Sequence, residues 1–203
     1  MSAPCVSGTE GYSREADVLA VQYESISFAD THGAYLHLIP GSPSRVLDIG
    51  AGTGRDAAAL AEKGHQVVAA EPTPEMRAHA MRLHPSPRIE WTDDALPDLA
   101  GLTGRGARFD LVMMTAVWMH LDLEQRQLAM PNVARVMRPG ATLIMSLRHG
   151  PVPQGRRMFA VTADESIRLA ASAGLSPIMQ LDNQPGGFGR RDVSWTKLAF
   201  RKG

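Results

Sequence analysis

The chain has 203 residues, of which 44% are hydrophobic and 21% are charged, values that are ordinary for a soluble globular protein. A chain of this length is expected to form one domain with a substantial core. Lysine plus arginine equals aspartate plus glutamate at 21 each, so no overall charge points to nucleic acid or a membrane as a partner.

The single cysteine, Cys5, cannot form a disulfide within the chain, and a thiolate zinc cluster would need more cysteines. No clustered set of His, Asp and Glu residues demands a metal, so we expect none. The N-terminal stretch MSAPCVSGTEGYSREAD lacks the basic start and apolar core of a signal peptide. No segment approaches the roughly 20 apolar residues of a membrane helix. We expect a cytoplasmic protein.

Two helical segments precede the first predicted strand, one in SREADVLAVQYES and one around AYLHLI. Pro40, Gly41 and Pro43 separate them from that strand. Their position predicts that residues 1–44 form a lid on a core of residues 45–203, within a single domain.

Short apolar segments then alternate with helical ones, a pattern typical of an α/β fold with a mainly parallel sheet. The predicted strands are RVLDIG (45–50), QVVAAE (66–71), RIEW (88–91), FDLVMMTA (109–116), ATLIMSL (141–147), SPIMQLD (176–182) and VSWTKLAF (193–200). The stretch NQPGGFGRRD between the last two strands is glycine-rich, and we expect a mobile loop there.

Two of the helical segments carry distinct local signals. Between Asp122 and Met137 the apolar residues recur with a helical period, but Pro131 predicts a kink or two short helices. Thr162 and Glu165 predict a capping box at the start of the last helix, which should end at Gly174.

The segment VLDIGAGTGRD joins the first strand to a helix through Gly50, Gly52 and Gly54. Such a turn lets the backbone approach a ligand without intervening side chains. The spacing departs from the dinucleotide fingerprint, because Arg55 stands where the last glycine would be. Asp48 would repel a pyrophosphate but suits a ligand that carries an ammonium or sulfonium group.

VLDIGAGTGRD resembles the first motif of class I S-adenosylmethionine-dependent methyltransferases, and further similar motifs follow in register. These are Glu71 at the end of the second strand, DDALP after the third, FDLVMMTAV in the fourth and VMRPGATLIMS before the fifth. The similarity covers about residues 45–147. It implies a Rossmann-like three-layer sandwich whose seven-stranded, mostly parallel sheet has the order 3-2-1-4-5-7-6 with the last strand antiparallel.

The resemblance implies that the cofactor is S-adenosylmethionine and the product S-adenosylhomocysteine. Glu71 would hold both ribose hydroxyls, because two vicinal hydroxyls can donate to one carboxylate. Asp94 or Asp93 would lie near the adenine amino group, or one of them would cap the next turn. Met76 would lie near the adenine or pack in the core, and Tyr23 would close over the methionine moiety or pack. The other implied cofactor contacts are Asp48, Gly50, Ala51, Gly52, Gly54, Ala95, Thr115 and Ala116.

The acceptor of the methyl group should lie where the fourth and fifth strands end, because open α/β sheets bind ligands at that edge. His120 is a candidate general base for an O–H or N–H group, or else bonds only to backbone. Trp118 would stack on the acceptor or the adenine, or pack in the core. Arg148 and His149 follow the fifth strand and suit a carboxylate or phosphate on the acceptor. His120 and Arg148 are therefore the predicted catalytic residues.

Two absences restrict the kind of acceptor. The fourth strand lacks the Asn/Asp-Pro-Pro-aromatic motif of amino-group DNA methyltransferases, and Cys5 is out of place for methylation of a base carbon. These features favour transfer to an O- or N-nucleophile of a small molecule, with an anionic molecule as one option. Arg156 and Arg157 fit a solvated basic loop better than a site. A catalytically silent cofactor-binding protein and an NAD(P)-binding oxidoreductase stay open as alternatives.

Overall fold

The computed structural model describes residues 6–185 and 190–203, so Cys5 and residues 186–189 of the predicted mobile loop lie outside the described residues. One sheet has the strand order β3-β2-β1-β4-β5-β7-β6. Its strands are β1 (Arg45–Ile49), β2 (Gln66–Ala70), β3 (Ile89–Thr92), β4 (Phe109–Met114), β5 (Met137–His149), β6 (Leu175–Pro185) and β7 (Ser194–Lys202).

Within the described residues, β7 runs antiparallel to β5 and β6, and the other strand pairs are parallel. The predicted strand order and antiparallel strand are confirmed. β6 extends through Pro185, so Asn183–Pro185 form strand where the sequence predicted loop. In β1 and β2 all but the first residue are buried, as expected for parallel strands covered on both faces.

The helices precede the sheet or connect its strands. They are α1 (Tyr12–Glu24), α2 (Phe28–His32), a 3-10 helix (Gly33–Leu38), α3 (Arg55–Glu62), α4 (Pro74–Leu83), α5 (Ala100–Gly104), a second 3-10 helix (Trp118–His120), α6 (Leu123–Val136) and α7 (Ala163–Ser172). None of those in the described part of the chain is long and apolar enough to cross a membrane.

The hydrophobic core has one part on each face of the sheet, because successive side chains of a strand point to opposite faces. Leu47 and Val112 belong to the larger part, which includes the apolar side chains of α5, α6 and α7. Val46 and Leu111 belong to the smaller part, which α3 and the segment Phe28–Ile39 cover. The three-layer arrangement predicted from the sequence is therefore present.

Two local predictions need correction. Of the two alternatives predicted around Pro131, a kink or two short helices, the second is absent: a single helix, α6, runs through the proline, and a capping box between Asp122 and Gln125 fixes its start. The second predicted box is only half formed: the Thr162 hydroxyl accepts the backbone N–H of Glu165 at 3.2 Å. The Glu165 carboxylate instead pairs with the buried guanidinium of Arg126 at 2.7 Å, because a buried cation needs a counter-charge.

Candidate active site

A cavity of about 990 Å³ lies at the carboxyl ends of the central strands. The ends of β1, β4 and β5 form its floor, and residues between Val6 and Tyr35 form much of its other wall. This edge of an open parallel sheet is the usual place for a ligand. The volume is at the upper end of the range for small-molecule and cofactor sites, about 300–1,000 Å³.

Most of the residues predicted to form a site do line this cavity. They are Tyr23, Asp48, Gly50, Ala51, Gly52, Glu71, Asp94, Ala95, Thr115, Ala116, His120 and Arg148. Others of the predicted set lie away from it in the described structure, namely Gly54, Met76, Asp93, Trp118 and His149.

The loop after β1 is fixed by its backbone. The N–H groups of Gly50 and Ala51 both donate to the carbonyl of Ala70, at 2.8 and 3.1 Å. Gly50 has a φ of +69°, and a Cβ there would lie 2.5 Å from Cγ2 of Val117. Gly52 has a φ of +57°, also in the left-handed region. The loop thus presents bare backbone to the cavity, as the sequence predicted.

The Glu71 carboxylate is buried beside this loop. Its Oε2 accepts the backbone N–H of Gly52 at 2.9 Å, and its Oε1 accepts the N–H of Thr73 at 2.8 Å. Burial raises the pKa of Glu71, while the two backbone hydrogen bonds oppose this rise. Each carboxylate oxygen can accept more than one hydrogen bond, so the group can also receive two hydroxyls from the cavity.

Asp48 is a buried carboxyl group with an unsatisfied atom. Its side chain is almost completely inaccessible, and Oδ2 has no hydrogen-bond partner among the residues that the structure describes. Burial raises the pKa of Asp48 well above its usual range, and the nearby charge of Asp56 adds to the effect. Burying an ionised carboxylate costs free energy unless a partner compensates its charge. A cationic ligand in the cavity would be such a partner.

The two neighbouring aspartates after β3 have different positions. Asp94 is buried, and it accepts the N–H of Ala95 at 3.0 Å and of Leu102 at 2.9 Å. The Asp93 side chain is 65% exposed and pairs with Arg77 at 3.3 Å. Asp94 thus caps the following turn and also lines the cavity. Asp93 points to solvent, so the prediction of a cofactor contact does not fit its position.

Two further predicted cofactor contacts serve in packing. Met76 is buried on α4, where it packs with Ala16 and Leu19 of α1. Gly54 has a φ of +84°, and a Cβ there would lie 2.6 Å from Cη2 of Trp91. Position 54 therefore needs a glycine, because of the left-handed backbone there and because of the adjacent indole ring. Neither Met76 nor Gly54 lines the cavity.

His149 was predicted to face the acceptor, and Trp118 was predicted either to stack on a ligand or to pack in the core; neither side chain lines the cavity. Trp118 is fully buried in the larger core, and its Nε1 has no partner within residues 6–185 and 190–203. The chain turns into a 3-10 helix here, which directs Trp118 inward and leaves His120 at the cavity. His149 bonds to the hydroxyl of Thr196 at 2.9 Å. Strand alternation explains this, since Arg148 beside it lines the cavity.

His120 uses both ring nitrogens. Nδ1 lies 2.8 Å from the carbonyl oxygen of Arg157, and Nε2 lies 3.1 Å from the hydroxyl oxygen of Tyr12. Burial lowers the pKa of His120, which favours the neutral ring. A carbonyl can only accept, so Nδ1 carries the proton and Nε2 accepts the Tyr12 O–H. The sequence offered no signal for Tyr12, which is distant in the chain.

Arg148 has an unsatisfied guanidinium facing the cavity. Its Nη2 is buried and lacks a hydrogen-bond partner in the described structure, and Nη1 reaches only the carbonyl of Gly150 at 3.5 Å. Burial lowers the pKa of Arg148, and the charge of Arg190 adds to this. The side chain can therefore bind an anionic group. A planar carboxylate matches the geometry of its N–H donors.

The basic loop after β5 is not solvated as predicted. The Arg156 guanidinium is buried, pairs with Glu15 of α1 at 2.6 Å and lies 4.3 Å from the centroid of the Tyr12 ring. Arg157 pairs with Asp122 at 2.8 Å. Both arginines therefore hold the loop against the N-terminal segment and α6, which closes this side of the cavity.

A buried cluster around Asp56 was also missed by the sequence analysis. The carboxylate of Asp56 is 2.7 Å from Nε2 of His32, and it accepts bonds from Thr115 at 3.0 Å and Arg55 at 2.8 Å. Although burial opposes it, the bonds and charges of His32 and Arg55 lower the pKa of Asp56 to about 2. The carboxylate thus joins the N-terminal segment to the start of α3.

The central part of the chain is similar to known methyltransferase sequences. Residues 46–140 match the sequence model of a methyltransferase domain family. An uncharacterized methyltransferase of Mycobacterium tuberculosis is 33% identical over 138 residues, which cover 59% of this chain and 51% of the relative. The chain therefore spans about half the length of the curated relatives that it matches.

Solved structures resemble the whole chain. One is a Burkholderia thailandensis 1,6-didemethyltoxoflavin-N1-methyltransferase, crystallised with 1,6-didemethyltoxoflavin and S-adenosylhomocysteine (TM-score 0.67, 22% identity, 100% of this chain and 93% of that one). Another is a TehB-like methyltransferase from Corynebacterium glutamicum (TM-score 0.68, 17% identity, 94% of this chain and 99% of that one). The chain has the fold of the class I S-adenosylmethionine-dependent methyltransferases, and within that fold residues 46–140 match the sequence model of a methyltransferase domain.

Proposed function

We propose that the protein transfers the methyl group of S-adenosylmethionine to an O- or N-nucleophile of a small anionic molecule. One observation carries this proposal: Asp48 and Glu71 face one cavity beside a bare glycine loop, and buried Oδ2 of Asp48 lacks a hydrogen-bond partner among residues 6–185 and 190–203. A ligand with both a cationic group and vicinal hydroxyls satisfies these two carboxylates together.

The cavity has a suitable group for each part of the cofactor, namely the ribose, the amino-acid portion and the adenine. Glu71 binds the ribose hydroxyls, Asp48 binds the ammonium group, and the segment Asp94–Ala95 borders the adenine. The backbone of Gly50 and Gly52 leaves space for the ligand. The bound S-adenosylhomocysteine of the Burkholderia enzyme, whose fold is the same, supports the choice of cofactor.

The N-terminal segment has the position of a lid, so we propose that residues 1–44 cover a core of residues 45–203 within one domain. Tyr35 donates to the carbonyl of Met145 at 2.7 Å, and Lys197 donates to the carbonyl of Thr31 at 2.9 Å. These contacts hold the segment over the sheet. When bound, S-adenosylmethionine supplies an activated methyl group, and a closed lid excludes water and aligns the acceptor for in-line attack.

The charge distribution in the cavity supports an anionic acceptor. Carboxylates line the side near the glycine loop, whereas Arg148, Arg190 and Lys197 line the side at β5 and β7. Arg148 brings to this side a buried Nη2 that has no hydrogen-bond partner in the part of the chain that the structure describes. A carboxylate or phosphate on the acceptor would bond to this group and fix the position of the nucleophile.

Turnover with radiolabelled S-adenosylmethionine tests the proposed function. The panel pairs small carboxylic acids and phosphate esters that bear hydroxyl or amino groups with their neutral amides or alcohols. We expect methylation of one or more acids and little of the neutral partners, and the Arg148→Gln variant should raise KM for the acid about ten- to a hundredfold. Methylation of neutral partners alone would overturn the anionic specificity. Cofactor binding without any turnover would favour the catalytically silent alternative.

A further inference from the structure

We infer that Arg148, Trp195 and Gln184 form a platform that selects a planar aromatic carboxylate as the methyl acceptor. The inference rests on the proposed function and deepens it, because it names the class of the small anionic molecule. The three residues lie on the neighbouring strands β5, β7 and β6, and all three line the cavity. We call this row of side chains the acceptor platform.

The register of the sheet places the three side chains next to one another. Trp195 of β7 lies directly opposite Arg148 of β5 on one side and Gln184 of β6 on the other. Directly opposite residues project from the same face of a sheet. Neighbouring strands are about 4.8 Å apart, so the platform is about 10 Å wide at the backbone. A substituted aromatic ring fits within this width.

Trp195 gives the centre of the platform a large flat surface. Its side chain is half-buried, because it packs against the larger part of the core while it also lines the cavity. Aromatic rings bind to an indole by offset stacking or by edge-to-face contact. The sequence suggested such stacking for Trp118, which is fully buried in the core. Trp195 is therefore the tryptophan that can contact the acceptor.

The charge at one end of the platform matches a single carboxylate. Arg190 also lines this side of the cavity, but it pairs with Asp192 at 2.9 Å. Lys197 donates to the carbonyl of Thr31 at 2.9 Å. The buried Nη2 of Arg148, by contrast, has no hydrogen-bond partner within residues 6–185 and 190–203. One guanidinium neutralises one carboxylate, and a carboxylate on an aromatic ring lies in the plane of that ring, where the flat fork of donors can meet it.

A bulge in β6 brings Gln184 into this row. Leu181 lies opposite Lys197 of β7. Regular pairing from there would put Asn183 opposite Trp195, but the register shifts and Gln184 takes that place. Without the shift, Gln184 would project from the other face of the sheet. Asn183 occupies the extra position with a left-handed φ of +54°, and bulges next to functional sites redirect side chains in this way.

The amide of Gln184 is oriented to accept a hydrogen bond from the ligand. Its Nε2 donates to the backbone carbonyl of Asp182 at 3.0 Å, which fixes the direction of the amide. The amide oxygen can then accept a hydrogen bond from a hydroxyl or amino group. The platform therefore fits an aromatic ring that carries a carboxylate near Arg148 and an O–H or N–H group near Gln184.

Calorimetric titration of the protein saturated with S-adenosylhomocysteine tests the platform without any turnover. The probes are the ortho, meta and para isomers of hydroxybenzoate and aminobenzoate. Each is compared with its amide, which lacks the charge, and with the corresponding cyclohexane carboxylate, which lacks the flat ring. We expect at least one aromatic acid to bind. Its amide should bind about ten- to a hundredfold more weakly, and its saturated analogue about two- to tenfold more weakly.

Two results of this titration would overturn the platform. One is that none of these aromatic acids binds at millimolar concentration. The other is that an aromatic acid and its saturated analogue bind with equal affinity. Failure of S-adenosylhomocysteine itself to bind would instead refute the proposed function.

Variants assign each part of the probe to one side chain. Arg148→Gln should abolish the preference for the acid over its amide. Trp195→Leu should abolish the preference for the aromatic over the saturated acid, whereas Trp195→Phe, which keeps a flat ring, should retain it. Trp91→Leu is the matched control and should keep both preferences, because this indole packs beside Gly54 and does not line the cavity. Persistence of either preference in the variant that should abolish it would contradict the assignment.

The bulge is tested through the substituent that Gln184 binds. Gln184→Ala should weaken binding of the hydroxy- or aminobenzoate about three- to tenfold, and leave binding of unsubstituted benzoate unchanged. Asn183→Val should have the same effect, because a β-branched residue disfavours the left-handed backbone of the bulge. Asn183→Gly, which permits that backbone, should bind like wild type. Wild-type affinity in Asn183→Val, or an equal loss for benzoate, would refute the positioning role of Asn183.

Discussion

The Glu71 carboxylate accepts the backbone N–H of Gly52 at 2.9 Å, which ties the end of β2 to the loop that follows β1. This bond orients the carboxylate before any ligand arrives. A second bond, from the N–H of Thr73, fixes the other oxygen at 2.8 Å. An oriented acceptor of this kind binds paired hydroxyls without a further loss of side-chain entropy.

We expect Glu71→Ala to weaken S-adenosylmethionine binding about ten- to a hundredfold, because hydrogen bonds to a charged group are worth about 1.5–3 kcal/mol. Titration calorimetry would measure the effect. Glu90→Ala is the control, since Glu90 is an exposed acid that pairs with Arg105 away from the cavity. Equal affinity in wild type and Glu71→Ala would refute the assignment to the ribose.

Asp48→Asn should stabilise the ligand-free protein increasingly as the pH rises above about 4. The raised pKa of Asp48 means that the folded protein retains a proton that the unfolded chain loses near pH 3.9, so stability falls as the pH rises from there towards the folded pKa. Asparagine does not titrate, so the variant lacks this decrease in stability with rising pH. Thermal unfolding at several pH values measures the effect, with the exposed Asp98→Asn as control.

The same Asp48→Asn variant should bind S-adenosylmethionine more weakly, because the ammonium group loses its carboxylate. Binding of 5′-methylthioadenosine, which lacks the amino-acid part, should be unaffected. If the affinities for both ligands fell equally, Asp48 would act by maintaining the structure of the loop and not by binding the ammonium group.

His120→Gln should make stability less dependent on pH below neutrality. Since the folded pKa of His120 lies below 6.5, the unfolded chain takes up a proton first, and stability is lost as the pH falls from about 6.5 towards the folded pKa. Urea unfolding at pH 7.5 and 5.5 should show a smaller difference for His120→Gln than for wild type. His37→Gln, at an exposed histidine, should behave like wild type.

Gly54→Ala should destabilise the fold by about 2–5 kcal/mol. The left-handed backbone contributes about 1–2 kcal/mol, and contact with the Trp91 ring about 1–3 kcal/mol more. Gly140 has a similar φ of +77°, but no atom of the described residues lies within 4 Å of an added Cβ, so Gly140→Ala should show the backbone contribution alone. If urea unfolding showed the same loss of stability in both variants, contact with the Trp91 ring would make no contribution.

Much of the fold could be predicted because its motifs are local. The glycine loop, the acidic residue after β2 and the apolar strands each lie within a few consecutive residues, and their resemblance to the motifs of a known family implied the strand order of the sheet. The proline in α6 does not divide the segment into two helices, because packing of the helix on the core outweighs one lost backbone hydrogen bond.

The acceptor side was predicted less well, because its geometry depends on which way single side chains point. Trp118 and His120 are two residues apart, yet the 3-10 helix turns only His120 to the cavity. Tyr12 and Arg156 are far apart in the chain, but their side chains are in contact at the cavity wall. No periodicity in the sequence reports such a contact, so the burial of Arg156 was missed.

Calorimetric titration of the protein with S-adenosylmethionine, and separately with NAD(H), tests the central claim most directly. The proposed function predicts saturable binding of one S-adenosylmethionine per chain, competition by S-adenosylhomocysteine, and no heat from NAD(H). Binding of NAD(H) without binding of S-adenosylmethionine would contradict it.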